Sequence, residues 1–189
     1  MVLTARMIKR DHPDCKVVFV GPCDAKKLEA SRRTVRSDVD FVLTFEEVLG
    51  MFAAKGVDKE VIPAEEAQPL SQAGSDARKF AVSGGVAQAV VNVIKEKYPD
   101  REIKVANAEG LSECRKLMMM AKAGKYNGYL LEGMACPGGC VAGAGTLLPI
   151  EKAAAIVRNY TAQAEEKSAT ETKYEATLPL LLEDEDDVE

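Results

Sequence analysis

At 189 residues the chain suits one domain that buries about 70% of its unfolded surface without staples. Apolar and charged fractions of 47% and 29% are ordinary for a soluble protein, and a net charge of −5 argues against a nucleic-acid surface. No apolar run reaches membrane-spanning length, and "MVLTARMIKR" lacks the apolar stretch and cleavage site of a leader; five cysteines in such a chain point to metal or redox chemistry, so it reads as cytoplasmic.

The elements alternate along the chain. "ARMIKRDH" reads as the end of a helix stopped by Pro13, and "CKVVFVG" as a buried, β-branched strand. "DAKKLEASRR" is rich in helix formers, with Asp24 placed to cap it. "DFVLT" reads as a second strand. Thr44 then opens "FEEVLGMFAAKG" with Glu47 three residues on, the spacing of a capping box, and Phe45, Val48, Leu49 and Phe52 make one apolar face.

Residues 58–80 carry Pro63, Pro69 and Gly74 and read as a long connection. "SGGVAQAVVNVIKEKYP" reads as a helix, "EIKVANAE" as a strand, and "LSECRKLMMMAKAGK" as a helix ending near Gly124. "YNGYLLEGMAC" is a strand running into a cysteine motif, and "IEKAAAIVRNYTAQAEE" a final helix. The closing "EDEDDVE" reads as a solvated, disordered tail. Strands separated by helix-sized segments predict an α/β fold, a mostly parallel sheet flanked by helices.

Ligands of such sheets gather beyond the carboxyl ends of strands. "VVFVGPC" delivers Cys23 to one such end, and "YLLEGMAC" delivers Cys136 to another. Cys136 and Cys140 bracket Pro137-Gly138-Gly139, and Gly143-Ala144-Gly145 follows. Thiolates ligate metals, and a glycine turn opening a helix offers free amides that favour the thiolate and close approach to a bulky cluster. One cysteine there would read as a small buried residue; two favour ligation. Zinc fits less well, because its structural sites use two such pairs, and a redox dithiol would show Cys-x-x-Cys. Lys26, beside Cys23, can stabilise a thiolate or donate to an anionic ligand, whereas Lys27 reads as a solvated surface lysine, and Glu29 as a partner for a neighbouring lysine or arginine. Cys15, Cys114 and the single histidine, His12, read as packing or surface residues, and of Met118, Met119 and Met120 at least one is expected in the core. Three cysteines therefore stand as ligands where a 4Fe–4S cluster takes four.

"GPCDAKKLEA" resembles the second signature of the iron-only (FeFe) hydrogenases, and "EGMACPGGCVAGAGT" their third. "SDVDFVLTFEEVLGMFAAKG" and "FAVSGGVAQAV" are similar to the intervening stretches, and the likeness spans nearly all of residues 1–150. The resemblance implies part of a two-lobed catalytic domain built around the H-cluster. That group joins a 4Fe–4S cubane through a cysteine sulfur to a diiron subcluster carrying carbonyl, cyanide and a dithiolate bridge. It implies Cys23 and Cys136 as cubane ligands and Cys140 as the ligand shared with the diiron unit. Lys26 would donate to a cyanide, Met134 would pack on the diiron unit, and Pro22 would line the same pocket. H2 and protons are the implied substrates, with an iron–sulfur domain or ferredoxin exchanging electrons.

The family's first signature, a Cys-Cys pair supplying one cubane ligand and a proton relay, has no counterpart here. The expectation is a fragment, with residues 1–165 a partial H-cluster domain and 166–189 a C-terminal extension. Such a fragment would hold no complete H-cluster alone, and apolar surface bared by truncation would offer a route to homo-oligomers. Gly21, Ala25, Ala144 and Thr146 depart from residues common in efficient enzymes and resemble the sensory subgroup. A hydrogenase-like iron–sulfur cluster assembly factor is the alternative from another class, and a plain zinc- or thiol-bearing α/β scaffold the third.

Overall fold

The computed structural model describes residues 1–32, 34, 38–58, 61–63 and 72–176. The acidic tail and part of the long connection lie outside them. Two units emerge: residues 1–69, 144–147 and 173–189 in the first, and residues 70–143 and 148–172 in the second.

In the first unit, α1 (Val2–Asp11) ends with Lys9 and Arg10 in its last turn, where cations suit the carbonyl end, and the His12 N–H closes it on Ile8 O at 2.8 Å. The strands β1 (Val18–Gly21) and β2 (Phe41–Thr44) pair in parallel, Val18 opposite Phe41 and Gly21 opposite Thr44. Asp40 pins their start. Its carboxylate accepts from the Val17 N–H at 2.8 Å and pairs with Lys9 at 2.9 Å and Lys16 at 3.3 Å. The Val17 N–H bond, then Lys9, hold its pKa down at about 2. Helix α2 (Ala25–Ser31) follows β1, and α3 (Phe45–Ala54) follows β2. The capping box at α3 is formed in both directions: the Glu47 N–H donates to Thr44 Oγ1 at 3.2 Å, and the Thr44 N–H to the Glu47 carboxylate at 2.8 Å.

One face of the β1–β2 pair is largely exposed, with Leu43 half-buried on it, against the expectation of a buried strand at β1. Val18, Val20 and Phe41 share it by register and are 48%, 44% and 60% exposed. The predicted apolar face of α3 is largely exposed too: Phe45, Leu49 and Phe52 are exposed and Val48 is half-buried.

In the second unit, α4 (Ser75–Arg78) and a 3₁₀ turn (Lys79–Ala81) lie where the sequence suggested only irregular chain. They lead into α5 (Gly85–Lys97), β3 (Lys104–Glu109), α6 (Leu111–Lys122) and β4 (Tyr129–Met134). A 3₁₀ turn (Cys140–Ala142) and α7 (Ile150–Ala162) complete it. β3 and β4 pair in parallel from Lys104–Tyr129 to Glu109–Met134. Both observed pairings are parallel, as the alternating pattern requires; among the described residues they form two separate two-stranded ladders.

Most buried apolar side chains belong to this unit: Ala87, Ala89, Val91, Ala108, Leu117, Val141, Ala154 and Ala164. The methionine run contributes none of them, since Met118 and Met119 are exposed and Met120 is half-buried. Arg78 is buried under the Tyr160 ring, 3.9 Å from its centroid, and donates to the Ala73 and Tyr160 carbonyls. The stretch after α7 returns to α4: the Ser75 N–H donates to Glu166 O at 2.8 Å and the Asp76 N–H to Lys167 O at 3.2 Å. Among the described residues no helix is long and apolar enough to cross a membrane.

Candidate metal centre

β4 ends two residues before Cys136. Cys136-Pro137-Gly138-Gly139 then makes a tight turn, closed by the Gly139 N–H on Cys136 O at 3.0 Å. Proline second and glycine third at φ +89° are the residues of a type II turn. Gly139 has φ +96°, and a Cβ there would stand 2.6 Å from Ser83 N and 2.9 Å from Ala81 O, so only glycine fits.

One carboxylate holds the turn itself, and a second holds the start of α5. Glu109, at the end of β3, accepts from the Gly138 N–H at 2.8 Å and from the Ser83 side chain. Those bonds, the Gly138 amide first, lower its pKa. The Ser83 N–H donates to Gly138 O at 3.1 Å, so the turn is gripped on both sides of Gly138. Glu132, buried within β4, accepts from the backbone N–H groups of Gly84, Val86 and Ala87, the last two at 3.1 and 3.0 Å. These are orphan donors at the start of α5, where a carboxylate is also favoured by the helix dipole. Gly85 is needed there because a Cβ would lie 2.1 Å from Lys79 O.

The expectation of free glycine amides around the cysteines is corrected. The Gly138 amide goes to Glu109 and that of Gly139 to Cys136 O, while Gly143 N–H donates to Cys140 O. Gly145 N–H donates to Pro22 O at 2.9 Å in the first unit. Nor does the turn open a helix with a dipole of consequence, since only the 3₁₀ turn Cys140–Ala142 follows. What the motif presents is its two thiols, both half-buried and neither in a disulfide.

Cys23 belongs to the first unit, half-buried beyond β1 after Gly21-Pro22. Pro22, also half-buried, gives its carbonyl to Gly145, and a Cβ on Gly145 would come 2.6 Å from the Thr44 Cβ. Lys26 pairs with Glu29 one turn on, the pairing the sequence suggested for Glu29. Lys27 pairs with Glu47 and Asp24, and Glu47 raises its pKa. Met134 is half-buried, and its carbonyl accepts from the Gly110 N–H at 2.8 Å. Cys114, in α6, directs its thiol to the Ala108 and Met134 carbonyls at 3.6 and 3.5 Å, a packing role. Among the described residues no three His, Cys, Asp or Glu side chains gather as a metal-ion site. The Cys136–Cys140 turn nevertheless suits two thiolate ligands: both sulfurs are unoxidised, partly exposed, and set on a backbone fixed by distant partners.

The description of the iron-only hydrogenase large subunit, C-terminal domain, matches residues 1–144. The chain belongs to this family. The periplasmic Fe hydrogenase large subunit of Nitratidesulfovibrio vulgaris is 30% identical over 172 residues, covering 75% of this chain and 41% of that one. A probable cytosolic Fe–S cluster assembly factor of Drosophila mojavensis is 30% identical over 188 residues, covering 79% of this chain and 39% of the relative. The chain thus spans about four tenths of the length of these two relatives. Among solved structures, a variant of FeFe-hydrogenase HydA1 from Chlamydomonas reinhardtii superimposes with a TM-score of 0.60 at 22% identity, over 98% of this chain and 63% of that one. The α/β fold is therefore that of the iron-only hydrogenase catalytic domain.

Sequence reasoning found the cysteines but missed Glu109, Ser83 and Glu132. A readable signal existed for Glu132: a carboxylate inside an apolar strand needs buried donors, and Gly84-Gly85 before a helix supplies them.

Proposed function

We propose that this chain is the part of an FeFe-hydrogenase catalytic domain that supplies three thiolates to an H-cluster: Cys23 and Cys136 to the cubane, and Cys140 shared with the diiron subcluster. The observation that carries the reading is the glycine turn after β4, with two reduced cysteines four residues apart on a backbone that admits no larger residue at Gly139. When bound, the group would supply the reversible two-electron chemistry between H2 and protons. The chain's own residues hold and surround it. Cys136 and Cys140 fix it to the end of β4, Cys23 adds a ligand from the end of β1, and Pro22 and Met134 contribute apolar surface. Lys26 offers a cation to its anionic ligands. A cubane takes four thiolates and this chain offers three, so the chain alone is inactive. The exposed apolar face of Val18, Val20 and Phe41 supports a further packed polypeptide there.

The test is anaerobic reconstitution of the full chain with iron and sulfide. Iron bound per chain should fall sharply in Cys136→Ala and Cys140→Ala, with no hydrogen evolved by the chain alone. Iron uptake indifferent to both substitutions would sink the ligand assignment, and hydrogen evolution would sink the incomplete-site reading. A second reading, an iron–sulfur assembly factor, is supported by the Drosophila relative. It predicts bound iron and sulfide but no hydrogen chemistry even when the family's remaining part is supplied.

A further inference from the structure

A Pro-Gly-Gly spacer is a poor platform for two thiols. Glycine leaves the backbone its widest freedom, and the bond within the turn itself is that from the Gly139 N–H to Cys136 O. A metal centre needs its ligands held by residues that are themselves fixed. Here Gly138 is caught from both sides, its N–H by Glu109 and its carbonyl by the Ser83 N–H.

Both captors have firm supports. Glu109 stands opposite Met134 at the last rung of the β3–β4 ladder, and the next residue, Gly110, bonds Met134 O at 2.8 Å. Ser83 immediately precedes the α5 start that Glu132 holds through three amides. Glu109 is itself exposed, so nothing about burial requires its carboxylate to bond the turn. Charge does not explain it either: a carboxylate near thiols opposes thiolate formation, the opposite of what a ligand pair needs.

We propose that Glu109, acting with Ser83, is a positioning residue that sets the Cys136–Cys140 thiols for a thiophilic ligand before one arrives. The inference rests on reading these two cysteines as a ligand pair. Position and charge make opposite predictions for glutamine. In Glu109→Gln the amide oxygen still accepts from the Gly138 N–H and the NH2 group meets the Ser83 hydroxyl, while the charge is gone. In Glu109→Ala both bonds are lost.

The probe is phenylarsine oxide, which condenses with two thiols held together, forming two As–S bonds and releasing one water. Titrated into the metal-free, reduced full chain, it should bind E109A about tenfold more weakly than wild type, equivalent to about 1.4 kcal/mol. E109Q should stay within about twofold of wild type, and Cys136→Ser or Cys140→Ser should abolish the tight phase. The lost bonds lower the urea midpoint of E109A, so the titrations are run without denaturant, where both Glu109 variants are folded. Wild-type affinity in E109A would overturn the proposal, as would an E109Q as weak as E109A, which would make charge the cause. Failed iron–sulfide reconstitution with the arsenical ranking intact sinks the cluster reading and leaves the positioning role standing. Normal reconstitution with an unmoved E109A does the reverse.

Discussion

Gly139→Ala should be among the most damaging single-methyl additions in this chain. Gly139 combines φ +96° with ψ −159°, a region that L residues leave almost empty, and forcing alanine into it costs about 1–3 kcal/mol. The new Cβ would meet the Ala81–Ser83 backbone: Ser83 N at 2.6 Å, Ala81 O at 2.9 Å and the Val82 carbonyl carbon at 2.9 Å. Backbone cannot rotate away, so overpacking adds about 1–3 kcal/mol, for a total of about 2–6 kcal/mol. Gly138→Ala is the matched control. Its φ of +89° brings the conformational penalty of about 1–2 kcal/mol, but its nearest neighbour is the Ile150 Cγ2 at 3.1 Å, a side chain able to turn. Urea unfolding in reducing, anaerobic buffer should place G139A about 2 kcal/mol below G138A at equal m-value. Equal midpoints for the two variants would refute the claim that the turn is packed against the Ala81–Ser83 backbone.

Two further outcomes follow from the carboxylates. Glu132→Ala leaves three amides at the start of α5 without an acceptor, at about 1–3 kcal/mol each, and should strip hydrogen-exchange protection from Gly84, Val86 and Ala87; unchanged protection would show the helix start is held otherwise. Asp40 has a pKa depressed to about 2 against about 3.9 when unfolded, so its contribution is full above pH 4 and is lost as pH falls through 2. The acid limb of a stability–pH curve should therefore flatten in that window in Asp40→Asn, and an unaltered limb would count against the Val17–Lys9–Lys16 knot.

What the sequence made legible is what depends on neighbours in the chain. The box between Thr44 and Glu47 spans three residues, and the β-branched run at Val18–Gly21 names its own strand. The cysteine turn declared itself through Pro-Gly-Gly. Illegible were the pairings that only folding brings together. Glu109 reaches Gly138 across 29 positions and Glu132 reaches Ala87 across 45, and nothing local distinguishes them from other glutamates. The same blindness misassigned the glycine amides, because whether an N–H is free depends on which distant acceptor arrives. The apolar stripe of Phe45, Val48, Leu49 and Phe52 was a correct helical period, but a period cannot say whether another element covers it.

The pairing of Lys26 with Glu29 raises a question that magnitudes decide. An ammonium engaged along its own helix looks unavailable to a ligand. A partly exposed pair of this spacing stabilises by only about 0.3–0.5 kcal/mol, because solvent screens it and ordering two long side chains offsets the attraction. A charge-assisted hydrogen bond to an anionic ligand out of bulk water is worth about 1.5–3 kcal/mol. In the role proposed for Lys26, the bond to the ligand would be the stronger of the two, and the Glu29 contact would be a resting place that does not commit the ammonium. Glu29→Gln should then leave any Lys26-dependent ligand binding intact or slightly tighter, whereas Lys26→Met should weaken it; weakening by Glu29→Gln as severe as by Lys26→Met would mean the pair, and not the lysine alone, is the recognition element.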